Sequence, residues 1–184
     1  FYRLNFNSKE KEMDKISVFI SEEALETRIQ EMADKINRDY AGKTVHLIGI
    51  LKGSVFFVCE LAKRLTIPAT LDFMSVSSYG SETKTSGRVK ISKDLDESIE
   101  GRHVIVVEDI IDSGNTLSYL LRILSERQPE SIRLITLLNK PDRREKEVEV
   151  DDSGFVIPDV FVVGYGLDYA QKYRNLPYIG VVEV

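Results

Sequence analysis

Small polar residues follow an apolar run in the stretch VIVVEDIIDSGNTL, which extends from Val104 to Leu117. They form the sequence Asp112-Ser113-Gly114-Asn115-Thr116, between a predicted strand and a predicted helix. Glycine lets the backbone approach a ligand closely, two hydroxyls can donate hydrogen bonds, and the first turn of the helix carries free N–H groups. The pattern predicts a site for one phosphate monoester. The alternative is that Ser113 or Asn115 merely caps the helix.

Two adjacent carboxylates, Glu108 and Asp109, end the same apolar run. Charged side chains are rare at the end of a buried strand unless they are paired or liganded. A carboxylate only accepts hydrogen bonds, so it suits sugar hydroxyls or a hard cation such as Mg²⁺ rather than phosphate. A ribose 5-phosphate would suit both parts of the stretch, because its hydroxyls could donate to the carboxylates and its phosphate could bind the small polar residues. The chain contains neither GxxxxGK[ST] nor GxGxxG, which argues against a P-loop NTPase and a dinucleotide-binding fold.

The composition indicates a single globular domain over residues 1–184, with 30% charged and 42% hydrophobic residues. A net charge of -5 and a pI near 5.2 argue against a nucleic-acid-binding surface, so we expect no nucleic-acid partner. No apolar run reaches the ~18 residues that a membrane span needs, so we expect no membrane partner either. The single cysteine, Cys59, cannot form an internal disulfide, which fits a cytoplasmic location.

Short apolar runs alternate with amphipathic segments, which predicts an α/β fold with a mainly parallel sheet flanked by helices. Strands are expected at Thr44–Leu51, Ala69–Val76, His103–Asp109, Ser131–Asn139 and in two short runs near the C-terminus. Helices are expected after an N-cap at Ser21 and over Gly53–Leu65 and Thr116–Arg127. Residues 1–15 are predicted to be a loose arm, and residues 77–87 a mobile loop. Ligands of such folds bind beyond the carboxyl ends of the strands, where the polar stretches lie.

A strand that ends in two acids and leads into D-S-G-x-T resembles the signature of the type I phosphoribosyltransferases. Four further motifs occur in the order and spacing of the hypoxanthine(-guanine) phosphoribosyltransferases: ILKGS at 50–54, SSYG at 77–80, LLNKPDRR at 137–144 and FVVGYGLDY at 161–169. The match extends from about Val18 to the C-terminus. It implies the type I phosphoribosyltransferase fold, in which a small hood region and a flexible active-site loop, here residues 77–87, accompany the mainly parallel sheet.

The resemblance implies an enzyme of purine salvage. Such an enzyme transfers 5-phosphoribosyl from 5-phosphoribosyl-1-pyrophosphate (PRPP) to hypoxanthine, and to guanine, giving IMP or GMP and pyrophosphate. The resemblance also implies Mg²⁺ as the cofactor and a homodimer or homotetramer in the cytoplasm. One alternative is a transferase of the same fold that acts on xanthine or a pyrimidine. Another is an RNA-binding regulator of this fold, which the acidic pI opposes.

The same resemblance implies a role for each motif residue. Asp112 is implied as the general base, or the hydrogen-bond partner, at N7 of the purine. The residues for the ribose and the 5′-phosphate are Glu108, Asp109, Asp112, Ser113, Gly114, Asn115 and Thr116. The residues for pyrophosphate are Lys52, Gly53, Ser78, Tyr79 and Arg174, with a cis peptide between Leu51 and Lys52. The residues for the purine are Lys140, Phe161, Val162 and Asp168, and those for metal are Glu108, Asp109 and Asp168.

The chemistry of these side chains agrees with the implied roles. Arg174 offers a planar fork of donors that matches phosphate oxygens, with Lys172 as the neighbouring alternative. Phe161 suits stacking on a flat base, unless it belongs to the core. Lys140 can donate to a purine O6, which favours 6-oxopurines over adenine. Asp168 would either ligate a second Mg²⁺ or lie near position 2 of the base.

Two features depart from the family pattern. Asn115 stands where some relatives have lysine. The charged segment Arg143–Ser153 is longer and more acidic than the resemblance implies, and we interpret it as a solvated surface with no assigned role.

Overall fold

The computed structural model of the protein describes residues 15–78 and 89–183. The predictions for residues 1–14 and 79–87, including the role of Tyr79, lie outside the described residues, as does the side chain of Ser78. Lys15 begins a strand, and Ser77 and Ser78 end another, so these ends of the predicted arm and loop belong to regular structure.

Nine strands, three helices and one 3-10 turn are present in the described ranges. In chain order they are β1 (Lys15–Ile20), α1 (Glu22–Asp39), β2 (Val45–Leu51), α2 (Val55–Arg64), β3 (Ala69–Ser78), β4 (Val89–Lys93), β5 (His103–Ile111), α3 (Asn115–Ser125), β6 (Ser131–Asn139), the 3-10 turn (Pro141–Arg143), β7 (Asp152–Val156), β8 (Val162–Val163) and β9 (Ile179–Glu183).

The main sheet has six strands in the order β4-β3-β2-β5-β6-β7. All neighbours are parallel except β4, which runs antiparallel to β3. A second, antiparallel sheet has the order β1-β9-β8, and we call it the hood sheet. The predicted α/β fold with a mainly parallel sheet is confirmed.

Helices cover both faces of the main sheet, because β2 and β5 carry apolar side chains on each side. Helices α1 and α2 pack on one face through residues such as Leu25 and Phe57. Helix α3 packs on the other through Leu117, Leu120 and Leu124. The predicted N-cap is confirmed, since Ser21 Oγ accepts a hydrogen bond from Ala24 N at 3.2 Å. No helix of the described ranges has the length and apolar character that a bilayer span requires.

Candidate active site

A cleft of about 350 Å³ opens beyond the carboxyl ends of β2 and β5. Its walls bring together predicted phosphate, pyrophosphate and metal residues from three separate segments of the chain: Lys52, Gly53, Glu108, Asp109, Asp112, Ser113, Gly114, Thr116 and Arg174. Both strands are parallel and adjacent, so the loops that follow them meet at one edge of the sheet.

The phosphate loop, Asp112–Thr116, joins β5 to α3. Gly114 has a φ of +80° and is the N-cap of α3, with no side-chain capping bond. Asn115 does not cap the helix, because its Nδ2 donates to Glu145 Oε2 at 2.7 Å. Ser113 Oγ accepts only a long bond, 3.4 Å, from Asn115 N. Gly114 makes no side-chain capping bond and the bond from Asn115 N is long, so the first-turn N–H groups of α3 can still meet a ligand, and capping alone does not explain the small polar residues.

Glu108 and Asp109 both line the cleft. Burial, and next the neighbouring Asp109 carboxylate, raise the pKa of Glu108 well above its usual range. Asp109 packs against the backbone of Gly53, where an added Cβ would lie 1.5 Å from Asp109 Oδ2. Two neighbouring carboxylates with only oxygen donors suit a hard divalent cation. The described residues contain no group of three or more His, Cys, Asp or Glu side chains that could hold a metal ion. Water or substrate oxygens would supply the remaining ligands of a bound ion.

The side of the cleft that carries Lys52, a predicted pyrophosphate residue, contacts the segment 164–175. The peptide between Leu51 and Lys52 is cis, which confirms the expectation from the resemblance. Lys52 Nζ donates to Gln171 Oε1 at 3.4 Å. Arg174 pairs through Nη2 with Asp168 Oδ1 at 2.6 Å, and Asp168 Oδ2 accepts from Gln171 N at 2.8 Å. Asp168 is therefore engaged with this segment and does not form a three-carboxylate group with the strand-end acids.

Gly166 determines how closely this segment approaches Gly53, one of the residues predicted to bind pyrophosphate. A Cβ on Gly166 would lie 1.9 Å from the carbonyl oxygen of Gly53, and its φ is +102°. Arg174 Nη1 donates to Gly166 O at 2.6 Å, and Gly166 N donates to Arg174 O at 2.9 Å. The position of Arg174 thus depends on the contact between two glycines.

Four charged residues link the phosphate loop to the predicted purine site. Arg143 Nε lies 3.4 Å from Asp112 Oδ1, and Arg143 Nη1 lies 3.4 Å from Asp159 Oδ2. Asp159 Oδ1 in turn lies 3.8 Å from Lys140 Nζ. Lys140 is buried, and its backbone N donates to Ile111 O at 3.0 Å beside the phosphate loop. The acid implied for N7 and the cation implied for O6 are therefore joined by one network of charges.

Aromatic side chains are exposed where the purine is expected to stack. Phe161 is 54% exposed, so the alternative that it belongs to the core is wrong. Its ring meets that of Tyr169 edge to face, with centroids 5.6 Å apart. The side chain of Val162, the next residue, is buried in β8, at the edge of the hood sheet. Exposed aromatic rings beside buried strands are typical of a binding surface.

Sequence reasoning missed the structural roles of Arg143, Arg144, Asp159 and Gly166. We interpreted the two arginines as part of a solvated segment, but Arg144 is half-buried and donates to Asp112 O. Arg143 contacts Asp112 itself. A local charge pattern carries no signal for such contacts, because the partners are distant in sequence.

Comparison with known proteins agrees with this geometry. Residues 20–170 match the family model of the phosphoribosyl transferase domain. The chain is 49% identical over 166 residues to the hypoxanthine-guanine phosphoribosyltransferase of Bacillus subtilis (strain 168), covering 90% of this chain and 92% of that protein. It is also 52% identical over 166 residues to the bifunctional protein TilS/HprT of Listeria monocytogenes serotype 4b (strain F2365). That match covers 90% of this chain but spans only 26% of the Listeria protein.

A solved structure agrees as well. The crystal structure of a hypoxanthine-guanine phosphoribosyltransferase from Bacillus anthracis, with a HEPES molecule in its active site, superposes with a TM-score of 0.88 at 46% identity. The superposition covers 92% of this chain and 99% of that one.

Proposed function

The chain belongs to the phosphoribosyl transferase family, and from this premise we propose that it transfers 5-phosphoribosyl from PRPP to hypoxanthine, and to guanine. The products would be IMP or GMP and pyrophosphate, which is purine salvage. One observation carries the proposal: the phosphate loop, a pair of carboxylates and the cationic side chains of Lys52 and Arg174 line a single cleft. The relatives named hypoxanthine(-guanine) phosphoribosyltransferases support the choice of base.

In this proposal, residues of the cleft would bind each part of PRPP. The N–H groups and hydroxyls of the phosphate loop would hold the 5′-phosphate. The carboxylates of Glu108 and Asp109 would accept hydrogen bonds from the ribose hydroxyls. Lys52 and Arg174 would bind the pyrophosphate group, where the planar fork of Arg174 matches phosphate oxygens. Cations are needed locally because the chain as a whole carries a net charge of -5.

The purine side supplies a proton acceptor and a donor. As the bond between ribose C1 and pyrophosphate breaks, N9 of the base bonds to C1, and the proton on N7 must leave. Asp112 would accept that proton. Lys140 would donate to O6, which distinguishes hypoxanthine from adenine. Phe161 would stack on the base, and Val162 would offer backbone groups to its edge.

Mg²⁺ is the proposed cofactor. Glu108 and Asp109 would hold it, and Asp168 is the proposed ligand of a second ion or a neighbour of position 2 of the base. The ion would offset the charge of the pyrophosphate as that group leaves. The raised pKa of Glu108 in the protein alone agrees with a place for a cation, since a cation would stabilise the ionised form of this carboxyl.

We propose a homodimer or homotetramer in the cytoplasm. Large apolar side chains exposed on α2 and on β3 support self-association, since Phe56 is 43% and Leu71 42% exposed. The lone Cys59 is a free thiol, which a reducing compartment would preserve.

The test is product formation from defined substrates. Purified protein with PRPP and Mg²⁺ is supplied with hypoxanthine, guanine, xanthine or adenine, and nucleotide and pyrophosphate are both quantified. We expect equal amounts of IMP and pyrophosphate from hypoxanthine, and no nucleotide from adenine. Turnover of adenine at a rate comparable to that of hypoxanthine would contradict the assignment of the base site. The absence of any nucleotide from all four bases would contradict the proposed function.

A further inference from the structure

The segment that follows the 3-10 turn packs against the back of the phosphate loop. Arg144 is half-buried, and its Nε donates to the carbonyl oxygen of Asp112 at 3.0 Å. Its Nη2 donates to Asn139 Oδ1 at 2.7 Å, at the last residue of β6. One guanidinium group therefore ties the first residue of the phosphate loop to the end of a central strand.

The backbone of the next two residues continues these contacts. The N–H groups of Glu145 and Lys146 both donate to the carbonyl oxygen of Ser113 at 3.0 Å. The Glu145 carboxylate accepts from Asn115 Nδ2 at 2.7 Å. A Cβ on Gly114 would lie 2.5 Å from Lys146 O, so the two segments are in direct backbone contact. We call Arg144, Glu145 and Lys146 the brace.

The brace holds carbonyl groups, and this determines where the N–H groups point. In a trans peptide the C=O and the following N–H point in opposite directions in one plane. When the brace holds the carbonyls of Asp112 and Ser113, the N–H groups of Ser113 and Gly114 must face the other way. Both of these residues line the cleft.

The geometry points to Arg144 as a positioning residue that keeps the N–H groups of the phosphate loop directed at a bound phosphate. The inference rests on the proposed function, because it takes the ligand to be the 5′-phosphate of PRPP or of the product. It assigns a role to the start of the charged segment. The two neighbouring arginines then differ, since Arg143 meets side-chain carboxylates and Arg144 meets the backbone.

A control variant is available at Arg28 of α1, which does not line the cleft. Arg28 is also half-buried and also donates to backbone carbonyls, from Nε to Gly154 O at 3.1 Å and from Nη2 to Ser153 O at 2.9 Å. Arg28→Met removes these two bonds to carbonyl groups, and also the ion pairs of Arg28 with Glu31 and Asp152, without touching the phosphate loop. It therefore removes at least as many interactions as Arg144→Met.

The test measures the binding of ribose 5-phosphate by calorimetry, which requires no turnover. We expect Arg144→Met to bind it about tenfold more weakly than the wild type, which corresponds to ~1.4 kcal/mol. Arg144→Lys keeps the charge but loses the planar guanidinium fork, so its affinity for ribose 5-phosphate should lie between those of the wild type and Arg144→Met. In steady state the KM for PRPP should rise while the KM for hypoxanthine is unchanged. Amide exchange at residues 113–116 should accelerate in Arg144→Met and not in Arg28→Met.

The outcomes separate the inference from the proposed function. Equal affinity in the wild type and Arg144→Met would overturn the positioning role alone. An equal loss of affinity in Arg28→Met would overturn it too, because the effect would then be general destabilisation. If Arg144→Met does not fold, Asn139→Ala removes only the Nη2 bond and should give a smaller loss in the same direction; an unchanged affinity there would contradict the role. A wild type that does not bind ribose 5-phosphate would overturn the proposed function as well.

Discussion

Replacing Gly166 by alanine tests how the segment 164–175 positions Arg174, the proposed pyrophosphate ligand. The new Cβ would lie 1.9 Å from the carbonyl oxygen of Gly53, whereas real Cβ atoms essentially never approach closer than 3.0 Å. The obstructing atom belongs to the backbone and cannot rotate away. The two segments must therefore separate by about 1 Å. Arg174 should move with Gly166, because the side chain of Arg174 donates to Gly166 O and the carbonyl of Arg174 accepts from Gly166 N.

The expected loss of stability has two parts. An L-residue in a left-handed conformation costs ~1–2 kcal/mol, and overpacking typically costs a further ~1–3 kcal/mol. Gly42 isolates the first part, because its φ is +75° and an added Cβ would meet nothing within 4 Å. Urea unfolding should thus show a loss of ~1–2 kcal/mol for Gly42→Ala and of ~2–5 kcal/mol for Gly166→Ala.

Catalysis should distinguish the two variants more sharply. A displacement of ~1 Å in a positioning group can reduce the rate by ~100-fold. Initial rates should show kcat/KM for PRPP reduced by up to that factor in Gly166→Ala and unchanged in Gly42→Ala. If both variants lose the same stability and keep the same kcat/KM, the contact between Gly166 and Gly53 does not position Arg174.

Three further predictions concern the base, the metal and the pH dependence of stability. Lys140→Ala should lower kcat/KM for hypoxanthine far more than the affinity for PRPP, measured by initial rates and by calorimetry; parallel losses would contradict a contact with O6. Activity should vanish in excess chelator and return with Mg²⁺ or Mn²⁺; undiminished turnover without a divalent cation would rule out the metal role. Burial alone would raise the pKa of Asp72, but donation from the N–H groups of Asp96 and Phe73 and the charge of Lys93 outweigh it and lower the pKa. This stabilisation is present above the unfolded pKa, near 4, and is lost as the pH falls through the lower folded value. Asp72→Asn should therefore be less stable than the wild type at pH 7 in urea unfolding, with a difference that shrinks below pH 4; a pH-independent difference would show that ionisation of Asp72 does not matter.

The central strands and the helices could be predicted from the sequence because their patterns are local. Strand β6 has the predicted bounds, Ser131–Asn139, since its apolar run is buried on both faces. The edge strands β4 and β7 were not predicted. Val89–Lys93 alternates in burial over only five residues, and Asp152–Val156 begins within the charged segment. Neither has the continuous apolar run that marks a buried strand.

The candidate site likewise has parts that a local sequence pattern predicted and parts that it could not predict. The residues of the phosphate loop and the strand-end acids adjoin in sequence, so their chemistry was apparent. The contacts of Arg144 with Asp112, and of Gly166 with Gly53, join segments that the fold alone brings together. A glycine gives no sign in the sequence of which backbone it will meet. Asn115, assigned to the ligand, donates its side-chain amide to Glu145 of the brace, a partner that only the folded structure reveals.

The most direct test of the account is the rate of Asp112→Asn. Asparagine keeps the size of the side chain but cannot accept the proton from N7, and general base catalysis contributes ~100- to 10,000-fold. We therefore predict that kcat falls by that factor while calorimetry shows PRPP bound as by the wild type. Asp142→Asn, which removes an exposed carboxylate of the nearby 3-10 turn, should leave kcat unchanged. A near-normal kcat in Asp112→Asn would contradict the account, because the proton would then leave by another route.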